Sequence, residues 1–290
     1  MTGEEIRVEK ARIVARYGNW TNHNIHLGSD IFTMGKDVST GADAKLTRIL
    51  QMVVDVAGGS LEQLRVLDLA CLEGLYGLEF ALHGAEVVGI EGREPNIEKA
   101  RFAQRALGLE NIRFFHDDVR RISAAQHGTF DVVLCLGIFY HLDKCDIPDF
   151  LSRLAEVCSR YLVIDTHLAL QVDDVMVLQG RQYPGQAYIE HAVDSTPEQR
   201  LASLWASLDN VRSFWPDRAS FFELLTGVGF SSVYECHQPP VAKYVQMRAD
   251  GQADRNTFLA IKGQSRVAHA LKRDNGCSSR PVTRVTRGPS

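Results

Sequence analysis

A chain of 290 residues that is 45% hydrophobic, 8% aromatic and 23% charged holds enough apolar mass for one large α/β domain or two small ones. No apolar run reaches the roughly 20 residues of a bilayer span, and the charged N-terminus lacks an apolar signal core; a cytoplasmic protein with no membrane partner is expected. From Gln264 onward six basic side chains stand against Asp274 alone, so the net charge of −4 conceals a tail at +5 and a body at −9, a poor surface for nucleic acid.

The first helix runs to Tyr17, with Ile6, Ile13, Val14 and Tyr17 on one face. The loop "GNWTNHNIHLGSDIFTMGKDVSTG" follows, rich in Gly, Asn, Asp and aromatics. A second helix over 42–57 places Leu46, Ile49, Leu50 and Val53 at helical spacing and stops at Gly58-Gly59. From residue 65 short β-rich runs alternate with helices. The strands are "RVLDLA", "AEVVGIE", "IRFFHDD", "FDVVLCLG" and "RYLVIDTHLAL"; the helices are "GLYGLEFALHG", "EPNIEKARFAQRALGL" and "IPDFLSRLAEVCSR". Such alternation predicts a parallel sheet covered on both faces. Residues 169–217 break the pattern and read as an inserted cap, in which Leu201, Leu204, Trp205 and Leu208 share a helix face. The helix "DRASFFELLTGVGF" and the strands "SSVYECH" and "NTFLAIKG" close the sheet as an antiparallel hairpin around a long loop. The expected fold is α/β: a Rossmann-like, doubly wound, seven-stranded sheet with an N-terminal helical extension over 1–60. The main domain then covers 61–263. Residues 264–290, rich in Ser, Arg, Gly and Pro, read as a disordered basic tail. Six cysteines are scattered singly with no CxxC pair, which fits a reducing compartment better than disulfides or a zinc site.

The segment "VLDLACLEGLYGLEF" (66–80) has the outline of a nucleotide-binding turn, with Asp68 at the end of an apolar run. Ala70 and Leu72 occupy two of the customary glycine positions, and only Gly74 keeps its place. Leu72 argues against a pyrophosphate, which needs close backbone approach there; a cofactor without phosphates tolerates it. Glu91, about 23 residues after Asp68 and followed by Gly92, ends the second strand where a carboxylate can bind both ribose hydroxyls. Asp117 or Asp118, ending the third, can accept from an adenine amino group, and Tyr140 and His141 stand at the mouth of the fourth. Taken singly, these residues have plainer readings: Asp68 as a helix cap, Glu91 and Asp118 as solvated carboxylates, Gly74 as a packing glycine. Those readings do not explain acids at successive strand ends.

On "VLDLACLEG", "VVGIEGREPNIEKAR", "HDDVRR" and "FDVVLCLGIFYHL", residues 60–165 resemble the class I S-adenosylmethionine-dependent methyltransferases, with weaker similarity to residue 262. The resemblance implies S-adenosylmethionine as cofactor and 61–263 as the methyltransferase domain. It further implies that Asp68, Ala70 and Gly74 line the methionine portion, Glu91 the ribose, Asp118 and Val119 the adenine, and Leu136 the sulfonium.

If the acceptor is a hydroxyl, a base adds about 10²–10⁴-fold. His141 is the first candidate, against the alternative of a structural histidine bonding a loop carbonyl. His167 and Asp165 in "VIDTH" form a reserve base or orienting pair. A divalent cation such as magnesium is a second candidate cofactor, with Asp165, His167, Glu190, His191 and Asp194 as ligands from which no set can be named. The N-terminal loop also resembles that of the tRNA wobble-uridine carboxymethyltransferase branch, as does "SFWPDRASFFELLTGVGF" a later segment of the same group. That branch uses a carboxylated cofactor held by basic groups, which are not mapped onto this chain. Trp20, His23 and Asn24 are candidates to close over cofactor or acceptor, and Trp215 and Tyr188, with Tyr140, to wall the acceptor; Trp20 and Trp215 equally suit plain packing. The expected activity is O-methylation of a small polar acceptor such as a saccharide or natural product. A tRNA-modifying enzyme and a non-catalytic cofactor-binding protein are the alternatives. The charge of the body argues against the first, and His141 with the cap against the second. A homodimer through the cap is left open.

Overall fold

A computed structural model describes residues 1–264; the expected tail, apart from Gln264, lies outside the described residues. Helix α1 (Gly3–Tyr17) starts at a capping box, Thr2 with Glu5, and α2 (Gly41–Ala57) at another, Thr40 with Asp43. There follow β1 (Arg65–Leu69), α3 (Leu75–Leu82), β2 (Glu86–Glu91), α4 (Glu94–Leu107), β3 (Ile112–His116), α5 (Ala124–His127), β4 (Phe130–Leu136), α6 (Ile147–Val157) and β5 (Cys158–Leu168). The cap holds β6 (Asp174–Leu178), β7 (Arg181–Ile189), α7 (Pro197–Ala202) and β8 (Arg212–Pro216). The chain then forms α8 (Arg218–Gly227), β9 (Phe230–Cys236), α9 (Ala242–Ala249) and β10 (Asp254–Lys262).

The main sheet has the order β3-β2-β1-β4-β5-β10-β9. Its first five strands are parallel, and β10 runs antiparallel between β5 and β9, so the expected seven-stranded Rossmann-like sheet with a closing hairpin is what forms. The central strands are apolar without alternation: Val66, Leu67, Leu69, Val132, Val133 and Leu134 are fully buried. That pattern demands cover on both faces. One face packs against Ile49 and Val53 of α2, Phe80 of α3 and Phe102 of α4. The other meets Phe150 of α6, Phe221 of α8 and Phe139. The strands β1 to β5 therefore end together at one rim, where α2, the N-terminal loop and the cap converge.

The cap departs from expectation. It is a three-stranded antiparallel sheet, β6-β7-β8, and the helix drawn through Leu201, Leu204, Trp205 and Leu208 does not form. Helix α7 ends at Ala202, and Leu201 and Trp205 are more than half exposed. The segment is held instead by Arg93, the N-cap of α4. Its guanidinium donates to the carbonyls of Leu201, Ser203, Ala206 and Ser207 at 2.9–3.4 Å, taking acceptors that a continuing helix would need.

Candidate active site

After β1 the chain turns through Ala70, Leu72 and Gly74 with φ of 50°, 51° and 89°. All three customary glycine positions thus keep the left-handed backbone, although two carry side chains, at a strain of about 1–2 kcal/mol each. The turn is held in that path from within. Cys71 N–H donates to Ile90 at 3.0 Å, Gly74 N–H to Cys71 at 2.8 Å, and Leu72 N–H to Glu91 Oε2 at 3.0 Å. Gly74 admits no substitute, since a Cβ there would stand 2.9 Å from Ala100 Cβ and 3.1 Å from Phe114 Cζ.

The strand-end acids are buried and engaged. Asp68 Oδ2 accepts from Gly77 N–H at 2.9 Å, so it does cap α3. Burial, with the charge of Glu91 added, raises its carboxyl to about 7 against the pull of that hydrogen bond. Glu91, 3% exposed, accepts from Arg93 N–H at 2.8 Å besides Leu72, and burial raises its pKa too. Asn96 Nδ2 donates to it as well, at 3.4 Å; a carboxylate has about four lone-pair sites, so Glu91 retains about one for a ribose. Gly92 beside it leaves room that Leu208 of the cap fills from above. Asp118 caps the 3₁₀ turn Val119–Arg121 and binds Arg120 through both oxygens, while Asp117 accepts from Asp118 N–H at 2.7 Å. Burial works against the Asp118 charge, but the bonds from Arg120 prevail and lower its pKa. Arg120 also reaches Asp146 at 3.2 Å and Asp209 of the cap at 2.6 Å. Val119 is buried beneath.

Trp20, His23 and Asn24, expected to close over cofactor or acceptor, are engaged within the fold. Trp20 is 4% exposed and packs on Phe102 of α4, with ring centroids 5.8 Å apart. His23, 2% exposed, accepts from Leu75 N–H at 3.2 Å, and burial pushes it down to about 3, so it is a neutral cap on α3. Asn24 spends its amide within the loop, donating to Gly35 and Val38 and accepting from Met34 and Gly35. A polar loop at a sheet rim has to satisfy its own backbone, and these side chains do that. The loop is anchored by Glu73, fully buried between Leu72 and Gly74. Glu73 accepts from the N–H groups of Thr21, Asn22 and His23 at 2.8–3.2 Å and pairs with Lys99 at 3.4 Å.

At the end of β4, Leu136 is half-buried and Gly137 (φ 80°) leads into a 3₁₀ turn over Phe139–His141. His141 Nδ1 lies 2.9 Å from both oxygens of Glu190, the residue that follows β7. Glu190 also accepts from Ser213 Oγ at 2.7 Å and Ser207 N–H at 3.0 Å. Although burial opposes its charge, these bonds hold its carboxyl below the usual range, so it stays ionised. With Nδ1–H committed to Glu190, Nε2 of His141 carries the lone pair. Beside this pair stands an aromatic column. Tyr188 stacks on Trp215 at 4.5 Å, Trp215 on His167 at 4.7 Å, and Tyr140 meets His167 edge-on at 4.7 Å. Trp215 Nε1–H donates to the Tyr140 carbonyl at 2.9 Å, fixing the cap strand β8 to the β4 turn.

The reserve pair does not form. Asp165 makes no hydrogen bond to His167 and takes Arg255 Nε and Nη2 at 2.7 Å each, Thr257 Oγ1 at 2.9 Å and Lys45 at 3.6 Å. Burial alone would raise its pKa, yet Arg255 and Lys45 drive it well below the carboxylate range, which removes it as a base. Burial pushes His167 down to about 3, and its Nδ1 is buried without a partner. The magnesium ligands also fail to converge: Asp165 and Glu190 are committed as described, His191 is bonded to the Ser207 carbonyl at 2.9 Å, and Asp194 is exposed. Among the described residues no three His, Cys, Asp or Glu side chains cluster to hold a metal. An open groove of about 570 Å³ lined by Arg101, Arg105, Arg113 and Phe115 lies at the β3–α4 edge and adds nothing to the rim.

Glu73, Arg93, Arg120, Lys45 and Arg255 were not foreseen, and Glu190 appeared only as a metal ligand. Glu73 left a signal: an acid inside an otherwise apolar turn. The others act mainly across long stretches of chain, Arg93 over 108 to 114 positions, Arg120 over as many as 89, Arg255 over 90 to 115 and Glu190 over 49 to His141, and left none.

Residues 66–160 match the family described as a methyltransferase domain. That match covers about a third of the chain, and the sheet order is that of a Rossmann-like methyltransferase fold. Among curated proteins it is similar to the O-antigen chain terminator bifunctional methyltransferase/kinase WbdD of Escherichia coli, 32% identical over 130 residues, 42% of this chain and 18% of that protein. It is also similar to the 23S rRNA (uracil(1939)-C(5))-methyltransferase RlmD of Klebsiella pneumoniae (strain 342), 46% identical over 74 residues, 24% of this chain and 17% of that protein. The chain thus spans less than a fifth of these relatives. Among solved structures it resembles the N-terminal domain of EvdMO1 in the presence of SAH and D-fucose: TM-score 0.64, 23% identity, 91% of this chain and 98% of that one. The magnesium protoporphyrin IX methyltransferase ChlM from Synechocystis PCC 6803 with bound SAH shares the fold at TM-score 0.50 and 17% identity, over 89% of this chain and 94% of that one. No helix among the described residues is long and apolar enough to cross a membrane.

Proposed function

We propose that the chain is an S-adenosylmethionine-dependent methyltransferase that methylates a hydroxyl of a small polar acceptor, with His141 as base. The observation that carries this reading is the His141–Glu190 pair at the end of β4. The residues fit the cofactor: the turn keeps a glycine-type path, and buried Glu91 has acceptor capacity left. Asp68, Ala70 and Gly74 would hold its methionine portion, Glu91 and Gly92 the ribose, Asp117, Asp118 and Val119 the adenine, and Leu136 the sulfonium. When bound, it supplies an electrophilic methyl group. The chain then has to place the hydroxyl, remove its proton and exclude water. His141 Nε2 takes the proton, while Glu190 fixes the tautomer and stabilises the resulting imidazolium, as a buried carboxylate does beside a catalytic histidine. Tyr140 and Trp215 wall the acceptor, and a D-fucose present with the EvdMO1 domain agrees with an acceptor of sugar size. The likeness of the N-terminal loop to the wobble-uridine branch brings no substrate with it.

The test is calorimetry with S-adenosylhomocysteine on the wild type and on Glu91→Ala, followed by a methyl-transfer screen against hydroxylated small molecules. Micromolar binding abolished by the substitution supports the reading. No binding to the wild type overturns it.

A further inference from the structure

The rim holds a buried cluster that the proposed mechanism does not use. Lys45, on the inward face of α2, is 8% exposed. Among the described residues its ammonium makes no hydrogen bond; its contacts are the 3.6 Å ion pair with Asp165 and the Tyr244 ring at 5.9 Å. An ammonium so confined with unspent donors is costly, and burial lowers the Lys45 pKa to about 8 against the pull of Asp165. Arg255 lies alongside, its side chain 11% exposed, donating to Asp165 and to Tyr140 Oη at 3.1 Å. Two cations therefore share one carboxylate, which Thr257 also engages. A second observation points into the same place. Tyr76 is 5% exposed, its Oη is buried without a partner among the described residues, and Asp165, Arg255 and Asp68 are among the charges that act on it. His167 Nδ1 is likewise unpartnered. Unspent donors around surplus positive charge describe a seat for an anion.

The position narrows the ligand. A Cβ at Gly137 would stand 2.9 Å from Arg255 Nη2, so the guanidinium borders the β4 turn that carries Tyr140 and His141. The column Tyr188–Trp215–His167 ends at the same Tyr140, with Tyr188 42% exposed at its open end. Stacked rings offer a flat face to a sugar or aromatic ring. We propose that the acceptor is a hydroxylated ring bearing a carboxylate, of the hexuronic-acid or ring hydroxy-acid class, with its acid seated on Lys45, Arg255 and Tyr76 Oη. The inference rests on the methyltransferase reading above and deepens it.

The test uses the full chain saturated with S-adenosylhomocysteine. Calorimetry compares D-glucuronate with D-glucose, D-galacturonate with D-galactose, and 4-hydroxybenzoate with 4-hydroxybenzyl alcohol, each pair differing by a carboxylate against CH₂OH. At least one acid is expected to bind tenfold or more tighter than its neutral partner. Tyr76→Phe, which deletes a hydroxyl that bonds nothing in the fold, and Lys45→Met should each shrink that gap fivefold or more. Three results overturn the inference: no acid preferred in any pair, a preference that survives both substitutions, or substitutions that instead reduce the preference for S-adenosylhomocysteine over 5′-methylthioadenosine. The last would assign the seat to the cofactor's own carboxylate. Failure of S-adenosylhomocysteine to bind the wild type is a separate outcome, which sinks the methyltransferase reading and this inference with it.

Discussion

The two halves of the sheet rim are built differently. Around β1, β2 and β3 every acid is engaged by the chain itself: Asp68 by Gly77, Glu91 by Leu72 and Arg93, Glu73 by the N-terminal loop, Asp118 by Arg120. Toward β4, β5 and β10 more polar groups are left with spare capacity: His141 Nε2, His167 Nδ1, Tyr76 Oη from α3 and Lys45 from α2, against Trp20 Nε1 in the first half. The first half is a scaffold whose polar groups maintain a strained turn. The second keeps its donors and acceptors for something else. Substitutions in the first should therefore be felt as stability, and at Glu91 as cofactor affinity as well, and in the second as turnover.

The largest expected effect is on turnover. His141→Ala should lower methyl-transfer kcat about 10²–10⁴-fold while leaving S-adenosylhomocysteine affinity near wild type; a kcat within threefold would remove the division at its most important point. Next comes Glu73→Ala, which leaves buried Lys99 without its counter-charge and takes the acceptor from the N–H groups of Thr21, Asn22 and His23, with an expected loss of about 3–5 kcal/mol in denaturant unfolding. A loss under about 1 kcal/mol would mean that the N-terminal loop is not part of the scaffold. Asp68 gives a pH test. Its folded pKa, about 7, exceeds the ordinary value, so its contribution to stability is present below about pH 4 and is lost as the pH rises through 7. Asp68→Asn keeps an oxygen for Gly77 N–H and should flatten the stability profile between those limits by up to about 1.4 kcal/mol per pH unit. The smallest effect is a gain. Leu72→Gly relieves a left-handed side chain at the cost of unfolded-state entropy, for a net change between about 0 and +1 kcal/mol. A loss above about 1 kcal/mol would show that Leu72 packing outweighs its strain.

What the sequence disclosed follows the same line. Strand runs, helix faces and acids at strand ends are local patterns, so the sheet and the acids of its first half were legible, down to Ala70 and Leu72 in glycine positions. The second half forms only when the cap folds back. Glu190 meets His141 across 49 positions, and Arg255 meets Asp165 across 90. No periodicity announces such meetings. Asp165 and His167 stood two apart on one strand and looked like a pair, until Arg255 from β10 claimed the carboxylate. Trp20, His23 and Asn24 misled for a related reason, because a loop that satisfies itself uses the same residue types as one that grips a ligand.

Glu73 and Lys99 have a consequence for traffic through the molecule. Swinging the N-terminal loop outward would pull apart an ion pair whose side chains are 0% and 4% exposed, and would uncover three amides at once. The opposite wall is fastened by Arg93 and Arg120, half-buried side chains whose charges water can readily take over. One wall is thus the doorpost and the other the door. Exchange at the strand ends is therefore expected on the cap side, where Leu208 covers Gly92, before it is expected through the N-terminal loop.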